Sequence, residues 1–363
     1  MYVTKPLSLF KSTPEAVYMP PLEGRNSGYL VLKGNETEDG NQTSRWDPWS
    51  HKRVWELPFP QNRVLKVQDP DDEETVVFVP VPDQPLASNR YYVVIAKGHS
   101  RGLIRTCSRE EDMITCFRKC IQDVDPRPFD PADRYQQMEI VQRKRGSFTA
   151  RAVADDGFPP MLYRYEGWQI YVSEYKKFSL GEASGLDDAL RSRWLCHRAD
   201  RPDAFPAPPS IIMPVGKWYC PFYLIKEDGV SLRKQMDRSI FYEMMLEQRW
   251  EPVHGSKLAS KKAFIGGRVE AIRQDPGSSR HSSAYVWFRA ASTEQRVGLC
   301  TSVWERMLWV QHRGGWVDQE VDNAGMVTNG YGSVLVERFV VKRMDGGVVL
   351  ALDFAHLNRP QQL

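Results

Sequence analysis

The sequence predicts an α+β fold made of antiparallel β-hairpins with interspersed helices, and three observations point to it. A short aromatic strand, a loop and a helix-opening Ser-x-x-Glu recur along the chain. Apolar runs joined by turn residues mark hairpins near both ends. The hydrophobic share of 41% is enough for a packed core, which a disordered chain would lack.

The recurring unit sets the expectation for the helices. Residues 91–95 lead to Ser108, Glu111 and Met113, and residues 285–288 lead to Ser302, Glu305 and Met307. The tyrosine-to-serine interval is 17 residues in both (91 to 108, 285 to 302). A shorter copy runs from Trp218 to Ser231, Lys234 and Met236, and a degraded one from Trp168 to Ser184 and Asp187. Internal strand–helix repeats are one reading, and chance recurrence of a short motif is the other. In each unit the serine is expected to accept from the orphan N–H groups of a first helical turn, with the glutamate reaching back. Lys234 cannot complete that box. Apolar stripes at helical spacing follow: Met113, Cys116, Phe117, Cys120 and Ile121; then Leu232, Met236, Ile240 and Met244; then Val303, Met307 and Val310. Pro126, Pro252 and the Gly314-Gly315 pair are expected to stop these helices. The Met and aromatic residues of these stretches are expected in the core.

Residues 1–27 are punctuated by proline and read as an extended arm. Residues 28–145 read as a first α+β lobe and 146–363 as a second, with one compact domain as the alternative. Residues 28–32 form a strand. Residues 33–50 are polar loop, in which Trp46 and Trp49 either pin the loop down or form a contact surface. Residues 64–67 and 75–79 are a hairpin around an acidic turn that lacks calcium-loop spacing. Residues 125–131 form a stiff connector and 148–153 a strand. Residues 198–216 are a proline-rich linker and 257–262 a polar joint. Residues 264–272 and 284–289 read as one hairpin, and 334–342 with 348–354 as the clearest.

The 49 basic and 46 acidic residues leave a net charge of +3, too balanced to argue for nucleic acid or an anionic membrane. No apolar run approaches the length of a membrane span, and the first residues lack the apolar core of a signal peptide. Six scattered cysteines read as reduced thiols, hence a cytoplasmic or nuclear home. Gly-rich phosphate loops and the Gly-x-Ser-x-Gly elbow are absent, and Cys116-x3-Cys120 has no matching second pair for zinc. No catalytic, cofactor-binding or metal-binding residue is therefore expected. Trp46, Trp49, Arg143, Lys144 and Arg145 are the candidate binding surface. A thiol enzyme would use Cys300, at the start of a helix, with His312 or His254 as base. Binding of nucleic acid or anionic lipid would use Arg143, Lys144, Arg145, Lys261 and Lys262.

Several stretches together resemble a known family. They are Met1 to Ser8, Asn26 to Val31, Leu57-Pro58-Phe59-Pro60-Gln61-Asn62, Asp83 to Tyr92, Arg127-Pro128-Phe129-Asp130-Pro131, Asp156-Gly157-Phe158-Pro159-Pro160, Gly216 to Phe222, and Phe241 to Glu251. The family is plant-specific and carries only a domain-of-unknown-function label, twelve-sixty-two. The resemblance implies a land-plant protein and supplies no activity, cofactor or site residue. The expected function is non-enzymatic binding of a protein or small-molecule partner by a soluble protein, in stress or defence responses.

Overall fold

A computed structural model describes residues 1–21, 24–34, 52–116, 118–165, 167–196, 212–253, 284–289, 295–316 and 332–362. The chain divides into two compact units, residues 2–182 and 183–363, the second also taking Met1. The division falls between Glu182 and Ala183, later than the boundary expected after Arg145. Trp46, Trp49, Phe117, His254, Lys261, Lys262 and the strand expected at 264–272 lie outside the described residues, as does most of the 198–216 linker.

The N-terminal unit opens with β1 (Tyr2–Pro6) and β2 (Gly28–Leu32), paired in parallel from Tyr2↔Gly28 to Pro6↔Leu32. Between them lie α1 (Leu7–Ser12) and a 3₁₀ turn, Pro14–Tyr18. The expected extended arm is thus folded. Its first residues bury Tyr2 and Val3, and the Tyr2 hydroxyl donates to Pro80 O at 2.8 Å. The chain continues through β3 (Arg53–Val54), β4 (Leu65–Gln68), β5 (Glu73–Pro80) and β6 (Arg90–Ile95). Next come β7 (Ser108–Arg109), β8 (Met113–Cys116), β9 (Arg118–Ile121), β10 (Gln137–Lys144), β11 (Ser147–Ala152) and β12 (Gly157–Phe158). A short α2 (Met161–Arg164) and β13 (Gln169–Val172) finish the unit.

One antiparallel sheet has the order β11-β10-β6-β5-β4-β13-β3. The expected hairpin at 64–79 is β4–β5, and its acidic turn is tied by Asp69, whose carboxylate accepts from the N–H of Asp71 and Asp72 at 2.8 and 2.6 Å. The sheet returns on itself. Phe148 N donates to Trp168 O and Gly167 N to Phe148 O, both at 3.0 Å, so β11 meets the residues that lead into β13. Closure hides sheet edges that would otherwise invite pairing with other chains. The interior is aromatic: Phe59, Phe78, Phe148 and Trp168 are fully buried, with centroids 4.9 Å apart for Phe59–Phe78 and 5.4 Å for Phe148–Trp168. The polar end of Trp168 is satisfied by Tyr163 O at 2.8 Å.

The helix expected after Ser108 does not form. A 3₁₀ turn, Glu110–Asp112, and the β8–β9 hairpin stand there instead. Ser108 Oγ donates to Gln122 O at 2.7 Å, so it is not capping. Asp112 accepts from Arg109 N at 2.7 Å, a local bond that competes with helix. Without a helix the first strand–loop unit differs in structure from the others.

The C-terminal unit holds β14 (Gly185–Leu186), α3 (Asp188–Cys196), β15 (Met213–Pro221), β16 (Ile225–Glu227) and α4 (Leu232–Arg238). Then come β17 (Phe241–Val253), β18 (Tyr285–Arg289), β19 (Arg296–Cys300), α5 (Thr301–Arg313), β20 (Gly332–Arg343) and β21 (Val348–Gln362). Antiparallel pairing links β14-β15-β17-β20-β21 in that order, and β16-β19-β18 form a second sheet. The β20–β21 hairpin is the one expected around Asp345 to Gly347, whereas β18 pairs with β19. Trp218, Met236 and Met307 are buried as core.

The helix expected from Leu232 to Pro252 ends at Arg238, and Phe241 onward is strand. The reason is arithmetic. Residues four apart share a helix face, but they also share a strand face, because four is a multiple of two. Met244, Leu246 and Gln248 are buried while Glu243, Met245 and Glu247 are half-buried, the alternation of a strand. The structure is therefore mainly antiparallel β with few helices, further toward β than the expected balance.

Candidate functional site: a cleft beside the β10–β11 turn

β10 has unequal neighbours. β11 pairs with it from Met138 as far as Lys144, but β6 pairs only with Gln137, Met138 and Glu139. Past that point Ile140 N donates to Asn89 O at 2.8 Å, and the chain turns away through Asn89, which is left-handed at φ 50°. On the other side Gln142 holds the 55–57 segment: its amide donates to Trp55 O at 3.2 Å and its carbonyl accepts from Leu57 N at 3.4 Å. A gap remains between these two attachments, and a cleft of about 390 Å³ fills it.

Residues 139–142 floor the cleft, Leu57 and Pro58 form one wall, and Leu86, Ala87 and Asn89 form another. Val17 and Tyr18 stand over it, with Tyr18 73% exposed. The exposed lining is more polar than apolar, and Asn89, Glu139 and Gln142 contribute amide and carboxylate groups to it. In the strand register Glu139 lies opposite Arg90 on one side and Arg151 on the other.

The strand that floors the cleft runs into the basic turn. Arg143 is the extra residue where the β10–β11 register shifts, and Arg143, Lys144 and Arg145 are all exposed. Gly146 closes the turn at φ +74°, its N–H donating to Trp55 O at 2.7 Å. A Cβ there would come within 3 Å of the Trp55 ring and of Arg53 Nε, so glycine is needed twice over. Arg53 Nη2 donates to Gly146 O at 2.8 Å. The guanidiniums of Arg53 and Arg145 lie over the Trp55 ring at 4.4 and 5.7 Å from its centroid. Stacked in this way a guanidinium keeps its in-plane donors pointing outward. Glu56 lies 3.5 Å from Arg145, an exposed pair of little strength.

Arg143, Lys144 and Arg145 are consecutive and exposed at this turn, and of the three Arg145 lies over Trp55. Sequence reading missed the cleft, because its walls come from four distant segments and its shape depends on where β6 stops. The pairing of Leu57 with Pro58, a cis peptide, and an Asn before an apolar strand were the only local hints.

Charge is treated differently in the C-terminal unit. Arg191 on α3 holds Glu337 on β20 through both carboxylate oxygens, Nε donating at 2.8 Å, and Nη1 donates to Val310 O at 2.9 Å. Gln248 Nε2 donates to the same carboxylate at 2.7 Å, and His356 Nε2 lies 3.2 Å from Gln311 Oε1 and 3.5 Å from Glu337. All five side chains are buried. Burial opposes the charged Glu337, but the hydrogen bonds from His356 and Arg191 and the charge of Arg191 outweigh it and bring the carboxyl down to about 2. Glu227, bonded by Arg343 and by Tyr242 at 2.5 Å, is likewise held below the usual carboxylate range despite burial.

Cys300 is fully buried and forms the N-cap of α5 without a side-chain bond; Ser302 Oγ donates to its sulfur at 3.3 Å. His312 lies twelve residues along that helix, about 18 Å away at 1.5 Å per residue, and stacks on Trp316. The expected thiol–histidine pair is not assembled among the described residues. Cys107 and Cys220 are also buried free thiols, pushed up by burial to about 12 and about 11. Among the described residues no helix is long and apolar enough to cross a membrane, and no group of three or more His, Cys, Asp or Glu side chains is placed to hold a metal.

No curated protein matches the chain. Among solved structures the crystal structure of Cry35Ab1 is similar at 8% sequence identity, covering 84% of this chain and 90% of that one, with a TM-score of 0.45. A likeness at that score carries no argument. A family model described as "Protein of unknown function (DUF1262)" matches residues 23–118, so this part of the chain, which supplies the Leu57 and Leu86 walls of the cleft, carries a domain of unknown function.

Proposed function

We propose that this is a non-enzymatic binding protein whose ligand or partner side chain enters the cleft over β10. The single observation that carries the reading is the convergence of Asn89, Glu139 and Gln142 in a concavity of about 390 Å³ walled by Tyr18, Leu57, Pro58 and Leu86. A volume of that size suits a small organic molecule or one or two side chains. The nearest alternative, thiol catalysis at Cys300, is weakened by the burial of the sulfur and its distance from His312. Origin in a land plant and a part in stress or defence responses go with the binding reading, and they rest on the family resemblance.

The test is titration calorimetry of the intact protein against panels of short peptides and small organic acids, alcohols and amines, with Val141→Asp as the control. Saturable binding that Val141→Asp removes, with the far-ultraviolet spectrum unchanged, supports the reading. Binding that ignores Val141→Asp, or turnover in a hydrolase, transferase or redox panel that a Glu139→Gln variant abolishes, overturns it.

A further inference from the structure

We infer that the cleft takes a primary amine, its ammonium at Glu139 and its apolar body against Leu57, Pro58 and Val141. The inference rests on the binding reading above and adds the ligand's charge. Among the described residues that line the cleft, Glu139 alone carries a charge, and no side chain or backbone group bonds its carboxylate. Half-buried there, it is a strong acceptor without a donor. Asn89 likewise leaves its side-chain amide unbonded, whereas both ends of the Gln142 amide are engaged with the 55–57 segment. Tyr18, 73% exposed over the cleft, offers a ring face. An ammonium brings three donors and no acceptor, which suits a carboxylate, an amide oxygen and an aromatic face together.

The protein's own cations do not fill this role. Arg90 and Arg151 stand opposite Glu139 in the strand register, yet neither lines the cleft and neither pairs with the carboxylate. The basic turn is further off. From Glu139 to Arg143 is four residues of β10, roughly 13 Å at about 3.3 Å per residue. That exceeds the Debye length of about 8 Å at physiological salt, so the charge of the turn is largely screened at Glu139. An ammonium in contact with the carboxylate outweighs these charges, because the attraction falls with separation. An alcohol of the same shape gains the apolar contacts without the charge, and a carboxylate meets repulsion.

The experiment compares 2-phenylethylamine, 2-phenylethanol and phenylacetate by titration calorimetry on the full chain and on Glu139→Gln, Arg151→Gln and Val141→Trp, the last a block that adds no charge. The amine is expected to bind at least about tenfold more tightly than the alcohol, as for a hydrogen bond to a charged group. Glu139→Gln is expected to remove most of that preference and to leave the alcohol unchanged. Arg151→Gln takes away an exposed competing cation and is expected to tighten the amine by up to about threefold, as for a surface charge. Equal binding of amine and alcohol, or tighter binding of phenylacetate, each lost in Val141→Trp, would overturn the charge assignment and leave the cleft reading standing. Failure of the amine to bind, or a preference for it that survives Glu139→Gln, would overturn the assignment as well. Binding of any of the three that ignores Val141→Trp would sink both readings. Thermal unfolding of each variant separates loss of binding from loss of fold.

Discussion

Two arginines, one in each unit, are handled in opposite ways. Arg191 is 4% exposed and spends its donors on Glu337 and on Val310 O. Arg145 is exposed, rests on Trp55 and pairs weakly with Glu56. A buried guanidinium has already lost its water and is committed to the partners that replace it. A surface guanidinium stacked on an indole keeps much of its hydration. The buried Arg191–Glu337 pair therefore belongs to folding, whereas Arg145 stands at the surface of the β10–β11 turn. That contrast makes the N-terminal cleft, rather than the more heavily bonded Glu337 cluster, the place to look for function.

The comparison breaks if the buried pair turns out to be dispensable. Glu337→Ala leaves Arg191 buried beside Gln248 without its counter-ion, and the expected loss is about 3–5 kcal/mol in urea unfolding. Replacing both partners together, Arg191→Met with Glu337→Leu, should cost less than Glu337→Ala alone, because no lone charge remains buried. A loss under about 1 kcal/mol for Glu337→Ala would show that this corner of the structure opens to water.

Acid sharpens the same point. The Glu337 carboxyl ionises at about 2 in the folded protein, below its ordinary value of 4.5. A depressed acid stabilises the fold above its unfolded pKa, and that contribution drains away as the pH falls toward the folded value. Stability should therefore decline between about pH 4.5 and pH 2. The share from Glu337 is on the order of 3 kcal/mol, from about two and a half units at 1.36 kcal/mol each. Urea midpoints measured across that range should fall more steeply for the parent than for Glu337→Gln. Parallel slopes would mean that the pair is not closed in solution.

Smaller again are the caps, and they show how much of the molecule could be read in one dimension. Ser231 accepts from Lys234 N at 3.4 Å and caps α4 as its motif required. Ser302, with the better-looking Ser-x-x-Glu, sits inside α5 and turns its hydroxyl to Cys300. Ser231→Ala should cost up to about 1 kcal/mol, and Ser302→Ala clearly less, by thermal unfolding. The capping motif is local and correct in chemistry, but it does not fix which residue is the cap. Hairpins were legible where a turn sequence sits between alternating runs, as at Asp345 to Gly347. The run from Met236 to Met244 was not, because a spacing of four fits both periods. The cleft was the least legible part, since neither Tyr18, Leu57 nor Glu139 is unusual until the pairing of β6 with β10 stops at Glu139.

The smallest expected effect is also the sharpest for the contrast. Arg145→Gln and Lys144→Gln should leave unfolding within about 0.5 kcal/mol of the parent, as for exposed side chains generally. If Arg145→Gln instead cost 2 kcal/mol or more, its stacking on Trp55 would be a structural clamp of the kind Arg191 provides. The turn would then belong to folding as well, and the distinction between the buried and the exposed guanidinium would fail. A near-zero change, read by urea midpoint, would show that Arg145 is not needed for the fold.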